Sequence, residues 1–197
     1  MGAALFLGSA ENDEMRRAKL GTKNDTKNDT KNDVAHPGLP NGLSLRVATT
    51  ADIPAMIAVV NLAFEEEAFF VNRPRTHAAQ LEEHFQSGNF LLAEGDGRLA
   101  ASVYYEVRGR LGYIGMLAVA PPWQRRGLGR AMMQAAEDVL RREGCRAAEL
   151  SVVSVRIGLP EIYRKLGYRQ TGFTEPPEEL RQKLTMPVRL LRMEKNL

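Results

Sequence analysis

A single cysteine, Cys145, excludes an internal disulfide and fits a reducing compartment. It has no activating neighbour and is expected to be a packed or surface bystander. The only histidines are His36, His77 and His84, and no cysteine or carboxylate cluster at ligand spacing joins them, so no metal site is expected. These histidines are expected to face solvent. No apolar run is long enough to span a bilayer, and the opening MGAALFLGSA lacks the basic residues of a secretory leader. Together these absences point to a cytoplasmic protein with no membrane partner. Charge of one sign is also scarce: Lys and Arg number 27 against 24 Asp and Glu, a net +3, which does not call for nucleic acid.

What is present suffices for one domain with a core, at 197 residues with 44% hydrophobic and 26% charged side chains. Residues 22–33 repeat TKND three times and offer nothing apolar to bury. With HPGLPNG following, residues 1–42 read as a disordered, low-complexity tail and 43–197 as the folded domain. LSLRVA alternates as a first strand, and apolar Ile53, Ile57, Val60 and Phe64 recur at helical spacing behind N-cap candidates Thr50 and Asp52. A second helix covers RTHAAQLEEHFQSG. NFLLAE and RLAASVYYEV flank a GDG hairpin turn, and GYIGMLAVAP forms a fourth strand that stops at Pro121 and Pro122. The stripe Leu128, Met132, Ala135, Val139 and Leu140 marks a long helix closed by Gly144. AAELSVVSV, PEIYRKLG, YRQTGF and PVRLLRMEK then read as strand, short helix, strand and strand. The order β-α-α-β-β-β-α-β-α-β-β implies an α/β (α+β) fold, a mixed sheet with helices on both faces.

Basic residues and glycines concentrate where the long helix begins, in QRRGLGR. A helix N-terminus carries free N–H groups and partial positive charge, and glycines there remove Cβ atoms and permit unusual backbone angles. The segment reads as a phosphate cradle: backbone amides give the fit, and Arg125, Arg126 and Arg130 give the field. The Walker-loop reading is weakened, because no Lys-Ser or Lys-Thr follows the glycines. The dinucleotide fingerprint is weakened as well, because Met132 stands at the third glycine and the turn follows a meander.

LAVAPPWQRRGLGRAMMQAAE resembles the acetyl-CoA signature of the GNAT superfamily of acyl-CoA N-acyltransferases: a strand, a proline, then Q/R-x-x-G-x-G/A opening a long helix. EIYRKLGYRQTGF is similar to that superfamily's second signature, a short helix with Tyr-x-x-x-Gly-aromatic before a strand. The resemblance covers about residues 43–194. It implies a mostly antiparallel central sheet splayed between the fourth and fifth strands, and an acetyl-CoA-dependent N-acetyltransferase acting in a ternary complex. It also implies that backbone groups of Leu117, Ala118 and Val119 hold the pantetheine arm. The amides of Arg125, Arg126, Gly127, Leu128, Gly129 and Arg130 would hold the pyrophosphate, with Gln124 bracing the turn. Tyr163 matches the tyrosine near the CoA sulfur. A non-catalytic CoA-binding module of the same fold remains the rival.

Acyl transfer to an amine needs a neutral amine, a stabilised oxyanion and an acid for the thiolate. Tyr163 suits the acid role and the Val119 N–H the oxyanion. For the base, counting back from Tyr163 reaches Ser151 where some relatives carry glutamate, leaving Glu149, Glu106 or water. Arg156 replaces an asparagine frequent in relatives, so no cofactor contact is carried over there. The acceptor is a small-molecule or peptide amine, protein N-termini included; Glu65, Glu66 and Glu67 could attract it, and Phe69 and Phe70 are expected to pack. A homodimer is compatible with the sequence.

Overall fold

The computed structural model describes residues 36, 38–65, 69–72 and 74–197. In chain order these form β1 (Ser44–Val47), a 3-10 turn (Thr50–Asp52), α1 (Ile53–Ala63), α2 (Ala78–Ser87), β2 (Asn89–Gly95), β3 (Arg98–Arg108) and β4 (Leu111–Val119). A 3-10 turn (Pro121–Trp123), α3 (Leu128–Arg142), β5 (Ala147–Val153), α4 (Leu159–Lys165), β6 (Arg169–Thr174), α5 (Glu178–Arg181) and β7 (Leu190–Asn196) follow. The tail repeat lies outside the described residues. Leu39 packs against the core, and His36 Nε2 lies 3.2 Å from Asp138 Oδ2 on α3.

Local chemistry explains most boundaries. The β2–β3 hairpin turns through Asp96 and Gly97, both at positive φ (50° and 69°), the backbone a tight hairpin requires. Gly144, at φ 84°, follows α3. There Gly144 N–H donates to Arg141 O and Cys145 N–H to Leu140 O, each at 3.0 Å, so the final carbonyls are satisfied. Gly167, at φ 96°, ends α4 through the same pair of bonds, to Arg164 O and Tyr163 O.

The seven strands form one sheet in the order β1-β2-β3-β4-β5-β7-β6. Every pairing is antiparallel except β4 with β5, which is parallel and short: Leu111, Gly112 and Tyr113 face Ala147, Ala148 and Glu149. Beyond that point the two strands part, although β5 stays paired with β7 along its whole length. The mixed sheet and the splay are those the sequence implies. α3 covers one face with Leu128, Met132, Ala136 and Leu140 against Leu91, Val103, Ile114 and Leu150. α1 and α2 cover the other, with Met56, Val60 and Leu81 against Phe90, Tyr104 and Tyr113.

The expectation of solvent-facing histidines fails at His36, whose side chain is 11% exposed beside Asp138, and more fully at His84. His84 is 4% exposed, because α2 lays it against Tyr104, 5.0 Å between ring centres. Burial, with Arg75 nearby, holds its imidazole down at about pKa 4. An unfolded histidine protonates near pH 6.5, so the stability is intact above that value. It is lost as pH falls toward about 4, a total of about 3 kcal/mol. We expect the melting temperature to drop between pH 7 and pH 4.5, and to drop less in His84→Gln. Equal acid sensitivity in both proteins would assign the drop elsewhere.

Candidate active site

β4 is built to leave one edge open. A bulge sets Met116 and Leu117 opposite Val103, and Met116 takes a left-handed φ of 45° although fully buried. Such a backbone costs about 1–3 kcal/mol and persists only where its surroundings enforce it. Past the bulge, Ala120 N–H donates to Ala100 O at 2.9 Å. In an antiparallel ladder alternate residues share a direction, so Ala118 also faces β3 while Leu117 and Val119 point toward the gap beside β5. An extended polar ligand entering that gap would add as a strand.

The gap runs into the start of α3. After the 3-10 turn at Pro121–Trp123, Gln124 braces the turn by donating from Nε2 to Val119 O at 3.0 Å. The chain then turns through Arg125 at φ 58° and Gly127 at φ 83°. Gly127 is the N-cap of α3, and no side chain caps that end. The first-turn amides of Leu128, Gly129 and Arg130 therefore have no acceptor within the helix. Arg125, Arg126 and Arg130 are exposed around them, and Arg126 lies 5.6 Å from the Trp123 ring centre. This fits an anion. The left-handed positions are Arg125 and Gly127; Gly129 is an ordinary buried residue of the helix. Gln124→Ala removes one hydrogen bond, worth about 1 kcal/mol, and should lower the melting temperature by about 2–4 °C. An unchanged melting temperature would mean that the brace contributes nothing to the fold.

Tyr163 lies on α4, 1% exposed, in the same core cluster as Leu117, Val119 and Leu128. Its ring stands edge-on to Tyr168, 6.0 Å between centres. The carboxylates differ in their engagement. Glu106 Oε2 accepts from Arg108 at 2.8 Å and from the Tyr104 hydroxyl at 3.2 Å. Glu149 stands at the last β4–β5 pair, opposite Tyr113, where the gap opens. Its nearest cation is Arg192 at 3.4 Å, and burial raises its carboxyl above the usual range. Ser151 is buried on the same strand.

The connection between α1 and α2 is tied to the segment between α5 and β7. Asn72 N–H donates to Lys183 O at 2.8 Å, and Thr185 N–H to Phe70 O at 3.0 Å. Phe70 is buried with Val153, Leu180 and Leu190, whereas Phe69 is half exposed. Glu65 is exposed; Glu66 and Glu67 lie outside the described residues. Cys145 is buried, and burial raises its thiol pKa, consistent with a bystander. No group of three or more metal-binding side chains occurs among the described residues, nor any helix long and apolar enough to cross a membrane. The sequence reading missed Glu137, a carboxylate 3% exposed within α3. Its spacing from Met133 and Leu140, four and three residues away, was the available signal.

The chain matches the acetyltransferase (GNAT) family over residues 58–168. It is 33% identical over 147 residues to a mycothiol acetyltransferase of Saccharomonospora viridis, covering 67% of this chain and 47% of that protein. To the mycothiol acetyltransferase of Streptomyces coelicolor it is 30% identical over 137 residues, covering 67% and 44%. The chain thus spans less than half the length of these curated relatives. The ribosomal-protein-S18-alanine N-acetyltransferase of Escherichia coli superposes with a TM-score of 0.62 at 18% identity, covering 78% of this chain and 93% of that one. Ard1 of Thermoplasma volcanium gives 0.64 at 16% identity, covering 79% and 98%. At such identities these likenesses speak for the fold alone. With the family match extending over more than half of the sequence, and a splayed sheet of the same architecture, the chain belongs to the acetyltransferase (GNAT) family.

Proposed function

We propose that this chain is an acetyl-CoA-dependent N-acetyltransferase that moves an acetyl group onto a primary amine by direct attack within a ternary complex. The observation that carries the reading is the open edge of β4 running into the uncapped start of α3. An extended amide-bearing arm matches the first and a pyrophosphate the second. Leu117 and Val119 would bind the arm through their backbone. The amides from Arg125 to Arg130 would take the pyrophosphate, and the three arginines would add field. When bound, acetyl-CoA supplies an activated acetyl thioester.

The remaining chemistry belongs to side chains and backbone of this protein. The Val119 N–H would polarise the carbonyl, and the Tyr163 hydroxyl would protonate the departing thiolate. An amine is mostly protonated at neutral pH, so a base assists. Glu149 suits that role better than Glu106. Glu106 is held by Arg108 and Tyr104, whereas Glu149 stands where the gap opens with a raised pKa. Glu149→Gln should lower kcat by about 10²-fold or more and remove the acidic limb of its pH profile. Its effect on stability should run the opposite way. A carboxyl whose pKa is raised on folding favours the fold below its unfolded value, and that contribution is lost as pH rises through the folded one. The variant should therefore melt no lower than wild type at pH 8. Wild-type kcat with an unchanged pH profile would return the base role to water.

Release of CoA thiol, followed with DTNB across a panel of amines, tests the activity. The panel begins with the acceptors named for similar proteins: a mycothiol-type amine and a peptide whose first residue is alanine, with its α-amine free. Amine-dependent release supports the enzyme. Tight CoA binding without release for any amine would support the non-catalytic binding module.

A further inference from the structure

Three parts of the fold meet on a buried carboxylate that has no part in the chemical steps proposed above. Glu137, 3% exposed, accepts from the Tyr168 hydroxyl through Oε1 at 3.0 Å and from Lys195 Nζ through Oε2 at 2.6 Å. Arg141, one turn along α3, lies 3.8 Å away. A carboxylate is retained at such depth only where donors replace its lost hydration, and here they come from β7, from the residue preceding β6 and from α3 itself.

Tyr168 is consequently fixed at both ends. Its hydroxyl is tied to Glu137, its backbone N–H donates to Tyr163 O at 3.0 Å, and its ring stands at 80° to that of Tyr163. Lys195 Nζ also lies 5.7 Å from the Tyr168 ring centre. α4, which carries Tyr163, has only seven residues and ends in a left-handed glycine, so it has little rigidity of its own. The fixed ring of Tyr168 supplies it. Tyr168 does not compete for the acid role, because burial and the charge of Glu137 push its hydroxyl well above the usual tyrosine range.

We propose that Glu137, Tyr168 and Lys195 form a lock that holds the Tyr163 ring in place, which makes Tyr168 and Glu137 positioning residues for acetyl transfer. The inference rests on the acid role proposed for Tyr163. Misplacement of a reacting group by about 1 Å costs roughly 10²-fold, and loosening one end of the lock should cost about tenfold.

A double-mutant cycle in the full chain tests this, with acetyl-CoA and the amine that gives the fastest thiol release. Tyr168→Phe keeps the ring, and Glu137 keeps Lys195, so the fold should survive. The expected result is a kcat about tenfold lower with the KM for acetyl-CoA within twofold. In a Tyr163→Phe background the same substitution should change kcat by less than twofold, because no hydroxyl remains to position. An equal loss in both backgrounds overturns the lock, as would a wild-type kcat in Tyr168→Phe. An intact kcat in Tyr163→Phe alone overturns the acid assignment, and the lock falls with it. A second measurement needs no turnover. With 3-fluorotyrosine incorporated, the Tyr163 ¹⁹F resonance, identified by its loss in Tyr163→Phe, should shift or broaden in Tyr168→Phe. An unmoved resonance overturns the proposal.

Discussion

Tyr163→Phe should reduce kcat by about 10²–10⁴-fold while acetyl-CoA affinity changes little, because a general acid typically contributes that much. The substitution keeps the ring, and with it most of the packing of a residue that is 1% exposed. The same burial makes the loss hard to compensate, since bulk water cannot readily reach the position of the hydroxyl. A thioester with a poorer leaving group should suffer more, because its departure depends more on protonation. Two results would make Tyr163 a packing residue: a kcat within about twofold of wild type, or a loss explained entirely by weaker CoA binding. Steady-state kinetics with two thioesters, alongside calorimetric titration with CoA, separates these outcomes.

The second large effect is expected at the start of α3. Gly127 sits at φ 83° with nothing within 4 Å of where a Cβ would be, so a side chain there extends into open space at the uncapped start of α3. Gly127→Val should weaken CoA binding about 10–100-fold, the worth of one hydrogen bond to a charged group. It should also cost about 1–3 kcal/mol of stability, since a β-branched residue resists the left-handed region. Gly127→Asn separates the two effects. Asparagine tolerates that backbone, so the fold should be nearly unaffected while its side chain still stands before the amides. Calorimetry showing wild-type CoA affinity for both variants would remove the cradle from this turn.

Features set within a few residues were legible in the sequence. Gly144 closes α3 as read, because a left-handed position after a helix selects glycine wherever it occurs. The GDG hairpin and the strand ending before Pro121 were legible because each is likewise set by local backbone chemistry. The family signatures then extended this local reading to the splay between the fourth and fifth strands. Only the tertiary structure placed β7 between β5 and β6, since an alternating strand pattern does not name its partners. Burial was likewise beyond local reading. His84 and Glu137 stand three or four residues from apolar Leu81, Met133 and Leu140, a spacing that permits burial, but only the packing of α2 on Tyr104 and of β7 beside α3 encloses them. The two candidate bases show the same division. Glu106 and Glu149 are both strand carboxylates in the sequence, but Arg108 and Tyr104 engage the first while the second stands where β4 leaves β5. A carboxylate's chemistry follows from the charges and solvent around it, and those are supplied by residues distant in the chain.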